Sequence, residues 1–222
     1  HGCIEQITSQ ALPQLFLEDL TELAADQKLE VEDHIRNALN KLPAFQLTNG
    51  GFGYWPGAAL VNEWGTNYVG HFILEASNSG YSVPLGMKEK WLNFQKTAAR
   101  NWSPTNANHN GFYFRNYDLT QAYRLYTLAL AGSPDLGAMN RLREKGEKSV
   151  EVSWRLAAAY VLAGQAEAAK QLVSNLSSEI DDYNEFGGTF GSALRDKAMI
   201  LETLILLEQK ENAFELLKNI SE

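Results

Sequence analysis

The sequence has 222 residues, a net charge of −8 and an isoelectric point near 5.1, with 45% hydrophobic and 21% charged residues. This acidic balance argues against a nucleic-acid partner and against attraction to an anionic membrane surface. No stretch approaches the roughly 18 apolar residues of a membrane-spanning helix, and a single cysteine excludes an internal disulfide framework. We therefore expect a globular domain that contacts neither nucleic acid nor membrane.

Helical spacing of the apolar residues predicts an all-α chain of about ten helices. The predicted helices span residues 4–23, 26–42, 61–77, 87–100, 118–131, 134–145, 150–163, 166–176, 193–207 and 211–220. Pro13 should kink or divide the first helix, and Pro43 should end the second. Ser133 and Pro134 are typical of an N-cap followed by proline at the first helical position. The second helix is predicted to carry one apolar stripe, made of Leu29, Ile35, Leu39 and Leu42.

A glycine-aromatic turn recurs in three predicted loops, and each loop precedes an apolar helix. The turns are Gly50-Gly51-Phe52, Asn110-Gly111-Phe112 and Gly187-Gly188-Thr189-Phe190. Consecutive helical hairpins with such a repeat predict a helical solenoid, because one hairpin cannot bury its apolar face alone. Closed on itself, the solenoid would be an α/α toroid with an inner and an outer ring of helices. We expect residues 1–222 to form a single domain of this kind.

The most specific motif lies at the start of the chain, where the only cysteine, Cys3, stands three positions before Gln6. If Cys3 opens a helix, its thiol and the Gln6 carboxamide lie about one turn apart on the same side. Attack of the thiolate on the amide carbon, with loss of ammonia, would close an internal thioester. A thioester is an acylating agent, so the pair would be a single-use acyl donor and the protein would not be a turnover enzyme.

These residues resemble a known family signature. Gly2-Cys3-Ile4-Glu5-Gln6 looks like the Gly-Cys-x-Glu-Gln thioester signature of the α2-macroglobulin and complement proteins, and of the bacterial α2-macroglobulins in particular. Pro13 stands ten residues after the cysteine, as in the family, and residues 14–20 match the apolar run with an aspartate that follows it. The turn at 50–52 and the segment 118–123 also look like family features, so the resemblance covers essentially the whole chain.

The resemblance implies the thioester domain of a larger, multidomain protease inhibitor, located in the periplasm or outside the cell and often anchored as a lipoprotein. A protease would cut a bait segment elsewhere in that protein, and the exposed thioester would then acylate a lysine amine of the protease. The implied partners are target proteases and other domains of the same polypeptide, and no cofactor is implied. The family's toroid has about six hairpins and we count about five, so the ring is expected to be open or incomplete at its C-terminal end.

The resemblance also implies an acyl-transfer position well downstream of the cysteine. Complement proteins have a histidine there, which takes the acyl group first, whereas macroglobulins have an asparagine, so that amines react directly. The corresponding segment, residues 106–111, contains both residue types, and the site falls at Asn108 or His109. An imidazole could form an acyl-imidazole and favour reaction with water and hydroxyls, whereas an amide could not.

Other interpretations of these residues stay open. Cys3 and Gln6 could be an inert remnant in a structural helical module. Glu5, in the first helical turn, could serve only the helix dipole or could help to shape the thioester site. A second class of function is an α/α-toroid carbohydrate-active enzyme, for which paired carboxylates are available at Asp181, Asp182 and Glu185.

The aromatic and histidine residues have simpler interpretations. The segment 52–56, Phe-Gly-Tyr-Trp-Pro, could stack on a sugar or peptide, although such residues more often fill the centre of a helical ring. His34 and His71 lie in predicted helices and are expected to be structural. The four histidines show no ligand spacing with one another or with Cys3, so we expect no metal site.

Overall fold

The structure, a computed structural model, describes residues 2–104 and 117–221, and these residues are all-α, as predicted. They contain no β-strand, only two isolated antiparallel bridges, Gln46 with Phe52 and Asn184 with Ser192. The helices are α1 (Ile4–Ala11), α2 (Leu17–Leu20), α3 (Ala25–Lys41), α4 (Glu63–Asn78), α5 (Met87–Asn101), α6 (Tyr117–Leu130), α7 (Leu136–Glu144), α8 (Val150–Leu162), α9 (Ala166–Val173), α10 (Ala193–Leu206) and α11 (Lys210–Ser221). None of these described helices is long and apolar enough to span a membrane.

The chain divides into two compact units, His1–Thr97 (the first unit) and Ala98–Glu222 (the second unit). Proline shapes the start of the first unit as predicted. Pro13 lies in a 3-10 turn, Leu12–Phe16, which separates α1 from α2. Pro43 lies in a second 3-10 turn, Leu42–Ala44, directly after α3. Because proline lacks the N–H that a helix interior needs, it is accommodated in the first turn of a new, tighter element.

The apolar stripe of α3 is shorter than predicted. Ile35, Leu39 and Leu42 are buried, whereas Leu29 is 63% exposed. All residues from 24 to 30 are exposed, so the first turns of α3 extend beyond the core of the first unit. Helical spacing predicts which face a residue occupies, but it does not predict how far along the helix the packing partners reach.

The core of the first unit is centred on α4, which packs closely against α5. A Cβ atom on Gly70 would lie 2.1 Å from the Trp91 ring, so glycine is required for the indole to approach the helix backbone. The indole N–H of Trp91 donates to the carbonyl oxygen of Thr66 at 2.9 Å, and the side chain of Gln95 donates to that of Asn67 at 2.6 Å. These buried contacts fix α4, against which α1 also packs.

Residues 45–62, which we call the first glycine loop, form a compact connection between α3 and α4. The N–H of Leu47 donates to the carbonyl oxygen of Gly51 at 2.8 Å, and the N–H of Asn62 donates to that of Phe52 at 2.8 Å. Phe52 is fully buried and fills the core of the first unit. Since the backbone of the loop is hydrogen-bonded at both ends and Phe52 is buried, the loop is a packed element of the fold.

In the second unit, α6, α8 and α10 pack side by side, and α7, α9 and α11 each pack against the helix that precedes them. Every residue of α6 from 118 to 129 is buried, as is every residue of α8 from 152 to 160. This alternation of enclosed and partly exposed helices agrees with the predicted series of hairpins. Closure of the hairpins into a ring stays a prediction, as does the assignment of residues 1–222 to a single domain.

The predicted start of α7 is wrong by two residues. The helix begins at Leu136 and its N-cap is Asp135, not Ser133. The Asp135 carboxylate accepts the N–H of Ala138 at 2.9 Å and the Nε–H of Arg100 at 2.8 Å. Burial opposes ionisation of Asp135, but the bonds from Arg100 and Ala138 outweigh it and hold its pKa below the usual value. A carboxylate with these two partners is a better cap than the serine hydroxyl.

Candidate functional site: the Cys3–Gln6 pair

Cys3 and Gln6 face each other across the first turn of α1. Cys3 is the N-cap residue, with an extended backbone, and it is only 4% exposed, whereas Gln6 is exposed. The backbone N–H of Cys3 donates to the Gln6 side-chain oxygen Oε1 at 3.1 Å. This capping bond turns the Gln6 carboxamide back toward the residue that carries the thiol. A bond between the Cys3 thiol and the Gln6 carboxamide stays a prediction.

Gly2 leaves room for that arrangement. A Cβ atom on Gly2 would lie 3.2 Å from Oε1 and 3.3 Å from Cβ of Gln6, closer than ordinary van der Waals contact. Any larger residue at position 2 would therefore press on the Gln6 side chain and shift its carboxamide. A steric requirement at this site therefore explains the glycine at position 2, independently of any family likeness.

The rest of α1 anchors the pair to the core. Ile4, Ile7 and Ala11 are buried, and the Thr8 hydroxyl donates to the carbonyl oxygen of Ile4 at 2.8 Å. A Cβ atom on Gly65, in the first turn of α4, would lie 2.9 Å from Cγ2 of Ile4. α1 therefore meets α4 at a close contact, one residue away from Cys3, which holds the start of the helix in place.

Tyr54, in the first glycine loop, contacts the start of α1. Its carbonyl oxygen accepts the N–H of Ile4 at 3.1 Å, which satisfies a backbone donor that the helix itself cannot satisfy. The interaction of its hydroxyl with the Cys3 side chain, followed by burial and the nearby charges of Cys3 and Glu5, raises the pKa of Tyr54 to about 12. A raised pKa means that the neutral phenol is favoured.

A second tyrosine lies near the site, on α4. Burial, followed by the negative charge of Glu5, raises the pKa of Tyr68 to about 12. Glu5 is half-buried in the first turn of α1, where a negative charge also complements the helix dipole. Both interpretations of Glu5, as a dipole partner and as part of the thioester site, therefore stay open.

The other predicted site residues are the candidate acyl-transfer position and the histidines. Asn108 and His109, the candidate acyl-transfer position, lie outside the described residues. His34 is paired with Gln14 at 3.2 Å between Nδ1 and Oε1, and His71 lies 3.7 Å from Glu75, both on helix surfaces. Among the described residues, no group of three or more histidine, cysteine, aspartate or glutamate side chains could hold a metal ion.

The carboxylates considered for a carbohydrate-active enzyme do not line the cavity that is described in the second unit. Asp181 and Asp182 are exposed, and Glu185 accepts a hydrogen bond from the Thr189 hydroxyl at 3.1 Å. This cavity, of about 320 Å³, is lined instead by other residues, which include Trp154, Glu179 and Glu215. Glu185 therefore has a local structural partner, and no described contact of Asp181, Asp182 or Glu185 favours a sugar-cleaving site.

Tyr54 and Tyr68 are the site residues that sequence reasoning missed. The aromatic segment 52–56 was assigned to stacking or to filling a ring, and Phe52 does fill the core. Nothing in the spacing of Tyr54 relates it to Cys3, because the two residues meet only through the fold of the first glycine loop. The glycine on each side of Phe52 could have indicated this contact, since glycine-rich turns bring the backbone close to other elements.

The fold and the site together define an all-α domain whose first helix opens on a buried cysteine that is capped by a glutamine side chain. The chain is similar to the alpha-2-macroglobulins of bacteria, as its N-terminal motif predicted. It is 27% identical over 215 residues to the alpha-2-macroglobulin of Xylella fastidiosa (strain Temecula1), a match that covers 90% of this chain and 13% of that protein. No protein-family model matches the chain.

Solved structures of bacterial alpha-2-macroglobulins share the fold. Escherichia coli alpha-2-macroglobulin activated by porcine elastase matches with a TM-score of 0.81 and 22% identity, over 100% of this chain and 20% of that one. Salmonella alpha-2-macroglobulin reacted with methylamine matches with a TM-score of 0.79 and 24% identity, over 99% of this chain and 15% of that one. This chain therefore corresponds to a small part of each of these proteins.

Proposed function

We propose that Cys3 and Gln6 form an internal thioester and that this chain is the thioester domain of a bacterial-type alpha-2-macroglobulin. The observation that carries the proposal is the capping arrangement, in which Gln6 Oε1 accepts the N–H of Cys3 at 3.1 Å. It turns the carboxamide toward the residue that carries a buried thiol, and proximity of the two groups favours attack of the sulfur on the amide carbon. Sulfur would displace ammonia, and an acceptor amine would later displace sulfur.

The activity of the whole protein would be protease trapping. The relatives support this, because one solved homologue is described as activated by porcine elastase and another as reacted with methylamine. In this proposal a cut elsewhere in the polypeptide exposes the thioester, and a lysine of the protease attacks the Gln6 carbonyl carbon. The partners are thus target proteases and other domains of the same polypeptide. The location would be the periplasm or the cell exterior.

The direct test is the intact mass of the protein before and after reaction with methylamine, with a count of free thiols under denaturing conditions. We expect a mass lower by one ammonia molecule and no free thiol, converting to a methylamide of Gln6 with one free thiol. A Cys3→Ala variant is the matched control, since it should show neither the mass deficit nor the methylamine adduct. The full, unmodified mass with a free Cys3 from the start would contradict the proposal.

Asn108 and His109 remain the proposed acyl-transfer position. If His109 takes the acyl group first, the native protein should transfer it to glycerol as readily as to methylamine. A His109→Asn variant should then keep the reaction with methylamine and lose most of the reaction with glycerol, as measured by adduct mass. An unchanged ratio of the two adducts would assign the position to Asn108 and direct attack by amines.

A further inference from the structure

We propose that the cavity of the second unit binds an organic cation, a guanidinium or primary ammonium group carried on an apolar stem. Arginine and lysine side chains of a polypeptide share this chemistry with free alkyl cations. The cavity, of about 320 Å³, lies between the segment that follows α9 and helix α11. The inference goes beyond the thioester proposed above and does not depend on it.

The buried residues that line the cavity are apolar. They are Trp154 of α8, Val173 of α9, Leu204 of α10 and Leu216 of α11. Each of the four is at most 6% exposed. Such a surface suits the methylene stem of an arginine or lysine side chain, because these side chains bury the stem along apolar surface and keep the charged head in polar surroundings.

The carboxylates of the cavity are available to a ligand. Glu179, in the segment after α9, and Glu215, on α11, both line the cavity and are exposed. Among the residues that the structure describes, neither carboxylate takes part in a hydrogen bond or an ion pair. No arginine, lysine or histidine belongs to the described lining of this cavity. A cation that enters it therefore gains two charge-assisted partners without displacing one that is already there.

The neutral groups of the cavity are less suited to a sugar. Asn212 donates its side-chain N–H to the side-chain oxygen of Gln209 at 3.0 Å. The side-chain oxygen of Asn219 accepts a bond from Nζ of Lys197 at 2.9 Å. A neutral hydroxyl would compete with bonds that the protein already makes. Trp154 is only 4% exposed, so its ring offers little surface on which a sugar could stack.

A metal ion fits the cavity less well than an organic cation. Two carboxylates are too few for a cation that prefers six or more oxygen ligands. Among the described residues, no group of three or more histidine, cysteine, aspartate or glutamate side chains could hold a metal ion. An organic cation uses both parts of the cavity, with its head at the carboxylates and its stem against the apolar residues.

The test titrates the protein with n-butylguanidinium and follows the ligand by saturation-transfer NMR. A guanidinium stays protonated and is not a nucleophile at neutral pH, so it leaves a thioester at Cys3 intact. We expect a dissociation constant on the order of 1 mM, because the ligand has few atoms. n-Butylurea has nearly the same shape and no charge, and we expect it to bind about tenfold more weakly. Equal binding of the two ligands would overturn the inference.

Glutamine variants locate the bound cation. Glu179→Gln and Glu215→Gln each remove one charge and keep the shape of the side chain, and each should weaken binding by about fivefold. Glu211→Gln is the matched control, since Glu211 is exposed one turn before Glu215 on α11 and does not line the cavity. It should leave the affinity unchanged. Equal weakening in the control would overturn the inference, because the attraction would then come from the net charge of the protein.

Nα-Acetyl-arginine methylamide separates the two sources of the cation. Binding at least as tight as that of n-butylguanidinium would assign the cavity to a side chain of a polypeptide. Exclusion of the blocked arginine, while n-butylguanidinium binds, would assign it to free alkyl cations, and either result keeps the inference. No measurable binding of either cation would overturn it, as would tighter binding of a neutral monosaccharide such as glucose.

Discussion

The two described glycine loops use the same backbone device for different ends. In the first glycine loop, Gln46 and Phe52 form an antiparallel bridge, and the loop ends at Asn62, whose side chain caps α4. In residues 177–192, which we call the second glycine loop, Asn184 and Ser192 form the bridge, and Ser192 caps α10. Both loops thus contain an antiparallel bridge, and the last residue of each caps the helix that follows.

The loops differ in what their tyrosine contacts. Tyr54 of the first loop contacts another element, because its carbonyl oxygen accepts the N–H of Ile4, the residue after Cys3. Tyr183 of the second loop donates its hydroxyl to Asp196, the fourth residue of the helix that the loop itself caps. The second loop is therefore closed on its own helix, whereas the first loop supports the candidate site.

The charged partner of the second loop is itself held by bonds within the second unit. Asp196 is 1% exposed and accepts two hydrogen bonds from Arg195, at 2.9 and 2.7 Å. Arg195 also donates to the carbonyl oxygen of Thr189 at 2.9 Å. These bonds, together with that from Tyr183, compensate the buried charge of Asp196 within the second unit. The repeated glycine turn therefore predicts a backbone arrangement, while the function depends on what lies opposite it.

The largest expected effect is on the free energy of unfolding, and it comes from glycines whose surroundings differ between the two loops. A Cβ atom on Gly50, in the first loop, would lie 2.1 Å from the carbonyl oxygen of Lys90, and the residue has φ +94°. Gly50→Ala should therefore lower the free energy of unfolding by about 4 kcal/mol, through backbone strain and overlap with a backbone atom. Urea denaturation of the native and variant proteins measures the difference.

Gly187 in the second loop is the matched control. No heavy atom lies within 4 Å of a Cβ atom built there, and its φ is not positive. Gly187→Ala should change the free energy of unfolding by less than about 0.5 kcal/mol. Equal losses of unfolding free energy in the two variants would show that the backbone of the first loop moves to accommodate a Cβ atom at Gly50. The rigidity of the loop would then not be what positions Tyr54.

Sequence reasoning predicted the helices and the Cys3–Gln6 pair because both depend on local spacing. The breaks at Pro13 and Pro43 follow from the missing proline N–H, and the capping geometry follows from positions three residues apart. Leu29 was assigned to the core and is exposed, because the reach of α3 depends on elements that are distant in sequence.

Tyr54 was missed for the same reason as the exposure of Leu29. Its hydrogen bond with Ile4 joins positions that are about fifty residues apart, and no periodicity encodes such a contact. The N-cap of α7 was missed differently. Ser133-Pro134 is a sound local signal, but Asp135 is selected by its ion pair with Arg100, which lies on another helix. Local rules therefore fail where a distant partner decides between two acceptable residues.

The smallest expected effect is a loss of stability at alkaline pH, and it compares the partners of the two tyrosines. Tyr54 is held protonated mainly by its interaction with Cys3, and its pKa is raised to about 12 from 10.0. Tyr183 is held protonated first by burial and then by its bond to Asp196, and its pKa is also raised. A raised pKa in the folded state means that the folded protein keeps protons that the unfolded chain releases. The stability from both groups is therefore fully present below about pH 10 and is lost as the pH rises through the folded pKa.

Two substitutions separate these contributions. The pKa of each tyrosine is measured from the ultraviolet absorbance of the phenolate as the pH is raised. The protein is first treated with methylamine, so that Cys3 is a free thiol. Cys3→Ala should lower the pKa of Tyr54 toward its ordinary value and leave that of Tyr183 unchanged. Asp196→Asn should lower the pKa of Tyr183 and leave that of Tyr54 unchanged, because each phenol loses only its own partner. Tyr54→Phe and Tyr183→Phe variants assign the two transitions among the tyrosines. If Cys3→Ala left every tyrosine titration unchanged, the phenol would not interact with the Cys3 side chain, and the first glycine loop would be as self-contained as the second.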